Sequence, residues 1–423
     1  MTAAGRAPRA VLLVANAASP YSRGLRVARS LAAAGWDVEV AAVDDDRHPV
    51  DQDDAGVRVH RYRPRGRWAR WRTDAPRRPR GGVRGWLVRW ADAVVKLLAW
   101  PVHVRAWWAA LAAELPPADL YHAFGILTIP VALRLAEDAR KQGRAGRVVY
   151  DVIDVILESN NVAGVPGPAL AVWRWRERRW VRRSDLVVTV NDAIADHLAT
   201  TWRLARRPTV LLNCQPRWTP PAARPDLIRQ AAGIPPERRI VLFLGRLGRE
   251  RGLDAAAEAV LGLHDAALVL LGFGAWEDRL RERDQDPRFA GRHFTLPPVH
   301  PDDVPAWTAS ADVSVIAVPA NSLNQRLSSP NKFWESLTAG TPVVVGRELT
   351  VMREIVERDG LGAVADPSSA DDLAAALRTV LEAPDEARAA MRERCLRVTR
   401  EQYCWEVAVE PYLTAAAGLG GAA

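Results

Sequence analysis

The chain has 423 residues, 48% hydrophobic and 26% charged, with 58 Lys and Arg against 50 Asp and Glu for a formal net charge of +8. Length and balance suit about two folded domains and exclude a disordered, collagen-like or disulfide-stapled chain. The three cysteines, Cys214, Cys395 and Cys404, lie far apart without CxxC or CxxH spacing, which points to a reducing cytoplasm and away from a structural zinc site. In chain order, residues 10–15 read as a first buried strand, too short for a signal-peptide core. Further strands are expected at 38–43, 57–62, 120–122, 148–151, 186–190 and 209–212. Helices are expected near 23–34, 85–115, 127–141, 168–183 and 192–201. Residues 63–82, rich in Arg, Pro and Gly, read as a loop.

Residues 215–225 carry four prolines and read as an interdomain linker. The plan then repeats. Strands are expected at 240–244, 267–271, 293–296, 313–317, 342–345 and 362–364, and helices at 253–263, 276–284, 304–310, 331–339, 351–358, 370–381 and 384–397. This alternation predicts two doubly wound α/β domains, 1–214 and 226–398, with ligands in a cleft at the carboxyl ends of their parallel strands. Residues 399–423 are expected to form a C-terminal helix and tail packing back on the first domain.

Charge is uneven. Residues 58–110 hold fourteen Arg or Lys and only Asp74 and Asp92, a net of +12, so the rest of the chain carries −4. The same segment has seven of the 17 tryptophans, Trp68, Trp71, Trp86, Trp90, Trp100, Trp107 and Trp108. Residues 172–183, VWRWRERRWVRR, add six Arg and three Trp. Arg with Trp suits a membrane–water interface, where guanidinium meets lipid phosphate and indole sits at headgroup depth. A peripheral anionic membrane surface is therefore the expected partner. A solvated basic face over buried indoles is the plain alternative. Nucleic acid is not expected, because no RNP, zinc-finger or helix-turn-helix pattern accompanies the charge. No apolar stretch is long enough to predict a transmembrane helix.

Two motifs carry chemistry. In LFLGRLGRERG (242–252) a buried strand ends at Gly245, followed by Arg246, a turn with Arg251, Gly252 and a helix. Glycines admit a ligand to the backbone, a helix start attracts anions, and paired guanidiniums match diphosphate oxygens. The same arginines on an ordinary surface would look no different in sequence. In SSPNKFWESLTAGTPVV (328–344), Pro330 suits a helix start, with Ser328 or Ser329 as its cap. Lys332 and Glu335, three apart, share a face of that helix, as a ligand-facing pair or as a surface ion pair.

These motifs, with LVLLGFG and PPVHPDDVPAWTASADVSVIAV between them, resemble the nucleotide-sugar domain of the family 4 type of retaining glycosyltransferases across about 240–365. The first half is similar but looser, leaving 63–111 as its own insert. The resemblance implies a GT-B fold, a UDP- or GDP-type nucleotide sugar as co-substrate, transfer with retention, and neither metal nor other cofactor. It implies that Arg246 and Arg251 bind the diphosphate and stabilise the leaving nucleotide. It implies that Glu335 holds the ribose, and that Lys332 with the backbone of Ser329 and Asn331 faces the sugar or its phosphates. The stretch Pro298–His300, Pro298 and Val299 above all, would contact the base through main chain. Gly245, and Gly24 in the loop after the first strand, would allow close approach. His122 and Asp154 are further catalytic candidates, Asp154 as an acceptor-side polar group, with a structural histidine the plain alternative for His122.

Three positions depart from the family pattern. Leu327 stands where a second acid often lies, Phe124 replaces a histidine in the HAHD-like pattern, and Ile153 replaces one in the YDxHE-like pattern. They leave three readings open. The first is a glycosyltransferase, cytoplasmic and peripheral on the inner membrane face, acting on a glycan, a lipid-linked intermediate or a small molecule. The others are a nucleotide-sugar 2-epimerase and an inactive partner subunit on the same fold. Asp44–Asp46 and Asp53–Asp54 read as a solvated turn and a polar loop rather than metal ligands.

Overall fold

Short Val-, Leu- and Ala-rich runs build the first sheet. Its strands are β1 (Arg9–Leu13), β2 (Asp37–Val43), β3 (Asp51–Asp54), β4 (Val57–Tyr62), β5 (Leu120–Phe124), β6 (Arg147–Val152), β7 (Leu186–Thr189) and β8 (Thr209–Val210). They lie in the order β3-β4-β2-β1-β5-β6-β7-β8, parallel except for β3. β1, β2, β5 and β6 are buried on both faces, so helices cover both sides of the middle of the sheet. Those helices are α1 (Ser22–Ala33), α2 (Val83–Glu114), α3 (Ile129–Lys141), α4 (Gly167–Val181) and α5 (Asp192–Trp202). The computed structural model describes residues 6–19, 22–63, 83–162 and 164–420. Arg65, Arg67, Arg70, Arg72, Trp68 and Trp71 lie outside the described residues.

β3 replaces the polar loop expected around Asp53 and Asp54. Its DQDD sequence has no apolar alternation to announce a strand. Instead, Ala55 and Gly56, both at positive φ, close a two-residue hairpin turn between Asp54 and Val57. Asp51 pairs with Arg58 at 3.0 Å, and Asp54 with Arg29 at 2.6 Å. Within α2, Val104, Trp107 and Leu111 are buried at i, i+3 and i+7, the stripe an amphipathic helix presents to a core.

The chain divides into two units, Met1–Leu211 with Val409–Ala423, and Leu212–Ala408. The segment expected as a linker lies in the second unit. There Arg224 donates to the carbonyls of Ala309 and Ala311 and pairs with Asp312 at 3.1 Å.

The second sheet has six parallel strands, β9 (Arg239–Arg246), β10 (Ala266–Phe273), β11 (His293–Leu296), β12 (Val313–Ile316), β13 (Val343–Gly346) and β14 (Gly362–Ala365). Their order is β11-β10-β9-β12-β13-β14. Helices α6 (Leu227–Ala232), α7 (Leu253–Leu261), α8 (Glu277–Asp284), α9 (Val304–Ala309), α10 (Leu323–Leu327), α11 (Asn331–Thr338), α12 (Thr350–Asp359), α13 (Ala370–Leu381), α14 (Asp385–Glu401) and α15 (Trp405–Ala408) belong to this unit. One core joins β9, β10 and β12 to α7 and α13, and another lies under α6 and the β11 exit. The final helix, α16 (Glu410–Gly420), returns to the first unit. No helix of the described residues is long and apolar enough to cross a membrane.

Candidate active site

Six parallel strands put their carboxyl ends on one edge of the second unit, where doubly wound sheets hold ligands. β9 reaches it at Gly245 and the exposed Arg246. A short turn, Arg249–Arg251, then leads through Gly252 into α7. Gly252 has φ 69°, and a Cβ there would overlap the Ala317 carbonyl oxygen, so this close crossing of β9 and β12 loops admits only glycine. Arg251 is half-buried, and burial, then the charge of Arg246, lowers its affinity for a proton. Two neighbouring guanidiniums, one exposed and one with part of its water removed, form a prepared site for a multivalent anion.

α11 begins at the same edge. Pro330 occupies its cap position in extended backbone, and no side chain caps it. The serines expected there do other work. Ser328 ends α10 and donates its hydroxyl to the Gln325 carbonyl at 3.0 Å. Ser329 is buried, and its carbonyl accepts the indole N–H of Trp334 at 3.2 Å. Phe333, Trp334 and Leu337 bury one face of α11.

Lys332 is not on an open surface. Its Nζ lies 4.1 Å from the centroid of the buried Phe243 ring. Burial pushes its pKa down to about 7, the charge of Arg251 pushes the same way, and Glu335 opposes them. Glu335 accepts from Gln215 Nε2 at 3.4 Å, and Asn331 accepts from Asn213 Nδ2 at 2.6 Å. Arg246, Arg251 and Lys332 thus converge electrostatically with two acids, Glu250 beside Arg251 and Glu335 beside Lys332. Pro298 is exposed and Val299, partly buried, packs against the core under α6, in the segment leaving β11. Among the described residues, no group of three or more His, Cys, Asp or Glu is placed to hold a metal ion.

Three expected residues lie in the first unit. Gly24 is a buried residue in the first turn of α1, not in the loop before it; helix formation begins at Ser22. Asp154 is exposed, two residues beyond β6. His122 is fully buried in β5, with its Nδ1 2.9 Å from the Tyr412 hydroxyl and its Nε2 3.3 Å from Asp151. Arg23 forks onto the Asp151 carboxylate at 2.9 and 3.0 Å and donates to the Leu211 carbonyl at 3.0 Å. Burial raises the Asp151 pKa, but Arg23 and His122 outweigh it and hold the carboxyl below the usual range. Burial likewise lowers the His122 pKa against the opposing pull of Asp151. This network ties α1, β5, β6 and α16 together.

Sequence reasoning missed Arg23, Asp151 and Tyr412, and the contacts of Asn213 and Gln215. The last two stand in the VLLNCQP stretch, whose polar pair after an apolar run was the available signal.

A family model described as "Glycosyl transferase 4-like domain" matches residues 22–215, and one described as "Glycosyl transferases group 1" matches residues 225–397. The chain belongs to the family 4 type of glycosyltransferases. Among curated relatives, it is 30% identical over 234 residues to a D-inositol 3-phosphate glycosyltransferase of Acidothermus cellulolyticus, covering 48% of this chain and 50% of that one. It is 32% identical over 169 residues to a GDP-mannose-dependent alpha-(1-6)-phosphatidylinositol monomannoside mannosyltransferase of Mycobacterium tuberculosis, covering 38% and 42%. The chain thus spans about half the length, or less, of these relatives. Sucrose-phosphate synthase from Thermosynechococcus elongatus superposes with a TM-score of 0.72 at 18% identity, covering 97% of this chain and 99% of that one. HepE from Anabaena, solved with UDP-glucose, gives 0.64 at 15% identity, covering 97% and 99%. The fold of this family 4 member is therefore GT-B, with two Rossmann-like α/β domains.

Proposed function

We propose that the chain is a glycosyltransferase that moves a sugar from a nucleoside diphosphate donor to an acceptor, with retention of configuration and without a metal. The observation that carries this reading is the convergence of Arg246, Arg251 and the water-poor Lys332 at the carboxyl edge of a parallel sheet. In the reaction, an acceptor hydroxyl oxygen bonds to the anomeric carbon, and the bond from that carbon to the diphosphate oxygen breaks. The hydroxyl proton leaves with the diphosphate or to solvent. Negative charge grows on the departing diphosphate, where Arg246 and Arg251 stabilise it. Glu335 takes the ribose hydroxyls. Lys332 with the backbone of Ser329 and Asn331 faces the sugar or its phosphates, and the Pro298–Val299 main chain meets the base. On the acceptor side, Asp154 contributes an exposed carboxylate, and His122 acts by holding Asp151 rather than by reaching substrate.

The acceptor is borne by an anionic membrane, on whose cytoplasmic face the protein sits peripherally. In support, Trp175 is 62% exposed on α4, with the exposed Arg179 and Arg182 following at i+4 and i+7. α2 packs against α4 and exposes Trp90. The test is incubation with UDP- and GDP-sugars in EDTA, reading the anomeric configuration of the transferred sugar by NMR. Transfer with retention is expected. Inversion, or loss of turnover restored by manganese or magnesium, overturns the corresponding part.

A further inference from the structure

Six large apolar side chains stand exposed among the described residues: Val50, Trp90, Val102, Trp175, Phe273 and Val407. Of these, Phe273 alone closes a central strand of the second sheet at its carboxyl end. The rest of β10 is buried, and Phe273 is 59% exposed. A ring more than half in water costs free energy there.

Its support is rigid. Phe273 pairs in register with Arg246, and Gly272 with Gly245. A Cβ on Gly272 would overlap the Gly245 carbonyl, and one on Gly274 the Leu247 carbonyl, so the chain on both sides of the ring is pressed against the Arg246 loop. The Phe273 carbonyl accepts the Leu247 N–H at 2.8 Å, and the Trp276 N–H donates back to the Leu247 carbonyl at 3.4 Å. Sheet order then places the ring. β10 lies between β11, whose exit segment carries Pro298 and Val299, and β9, which delivers Arg246. A ligand with its diphosphate on Arg246 and its other end toward the β11 exit must cross the end of β10.

We infer that Phe273 is the apolar platform for the nucleoside half of the donor, stacking on the base or the ribose face. This rests on the donor reading above and adds a residue to it. Aromatic faces suit any base, so the ring supplies affinity without choosing between uracil and guanine. It predicts a separation between nucleoside and phosphate recognition that the arginines alone would not show.

The test is calorimetric titration of the full chain with UDP, GDP and inorganic pyrophosphate. Phe273→Ala should weaken the nucleotide that binds by about 5- to 150-fold, the range of one lost base–aromatic stack, and leave pyrophosphate affinity as it was. Phe273→Trp should keep nucleotide affinity near that of the native chain, and Arg251→Ala should weaken nucleotide and pyrophosphate together. Unchanged nucleotide affinity in Phe273→Ala overturns this inference alone. Equal losses for nucleotide and pyrophosphate also overturn it, since Phe273 would then merely prop the arginine loop. If the native chain binds neither nucleotide, the donor reading falls and this one with it. Melting curves of the alanine variant separate these outcomes from misfolding.

Discussion

The ammonium of Lys332 sits 4.1 Å from the centre of the Phe243 ring, on a helix that starts beside Arg251. A cation placed there, partly withdrawn from water, holds its proton only up to about pH 7. A bound diphosphate brings negative charge and favours the ammonium. Binding should therefore take up a proton above about pH 7, and affinity should fall as pH rises through that region. Lys332→Met removes this component. Calorimetry in buffers of differing ionisation heat checks it; parallel pH profiles for the native chain and Lys332→Met would count against a ligand-facing lysine. For the empty protein the sign is opposite. An unfolded lysine keeps its proton up to about 10.4, so this group makes folding less favourable below about pH 7 and progressively less so toward pH 10.4.

Arg246→Ala and Arg251→Ala should each weaken nucleoside diphosphate binding by about 10- to 150-fold, the loss of a charge-assisted hydrogen bond worth about 1.5–3 kcal/mol. Arg251 carries a charge disfavoured by burial and by Arg246, so its removal should not lower the melting temperature. Unaltered affinity in both variants would take the arginines out of the site.

The Arg23–Asp151 pair is fully buried. Removing one partner strands the other, so Asp151→Ala should cost about 3–5 kcal/mol. Tyr412→Phe, which takes the hydroxyl from His122, should cost about 1 kcal/mol. The Asp151 carboxyl is held below its usual range, so its contribution is present above the unfolded pKa of about 3.9 and is lost as pH falls further. Denaturant melts at pH 7 and pH 3 give both readings. An Asp151→Ala variant as stable as the native chain would mean that the network holds nothing together.

Most strands and helices were legible because apolar runs of strand length alternate with amphipathic stretches, and this pattern is local. The Arg246–Gly252 turn and α11 were legible for the same reason. What was hidden depends on distance in the chain. The His122–Tyr412 bond joins residues 290 positions apart, and Lys332 meets a ring on β9. The β3 hairpin was hidden because its strand is acidic and its turn depends on the backbone of Ala55 and Gly56. The cap of α11 was misread because Ser328 and Ser329 sit outside an already extended Pro330, too early to reach the helix amides.

Membrane attachment should be electrostatic and include α4. Trp175→Ala with Arg179→Gln and Arg182→Gln should weaken co-flotation with anionic vesicles by about 1 kcal/mol per arginine, with a further loss from the indole. Salt at about 1 M shortens screening to about 3 Å and should release the protein. Equal binding to neutral vesicles, or binding indifferent to salt, would leave an ordinary solvated face and shift the acceptor toward a soluble molecule.

The central claim is that the second unit holds a nucleotide sugar and releases its diphosphate. It is tested most directly by incubating the full chain with a panel of UDP- and GDP-sugars and measuring nucleoside diphosphate released over hours. Release from one donor is predicted, along with its loss in Arg251→Ala and its acceleration when an acceptor is present. No release from any donor, or release that survives Arg251→Ala unchanged, would contradict it.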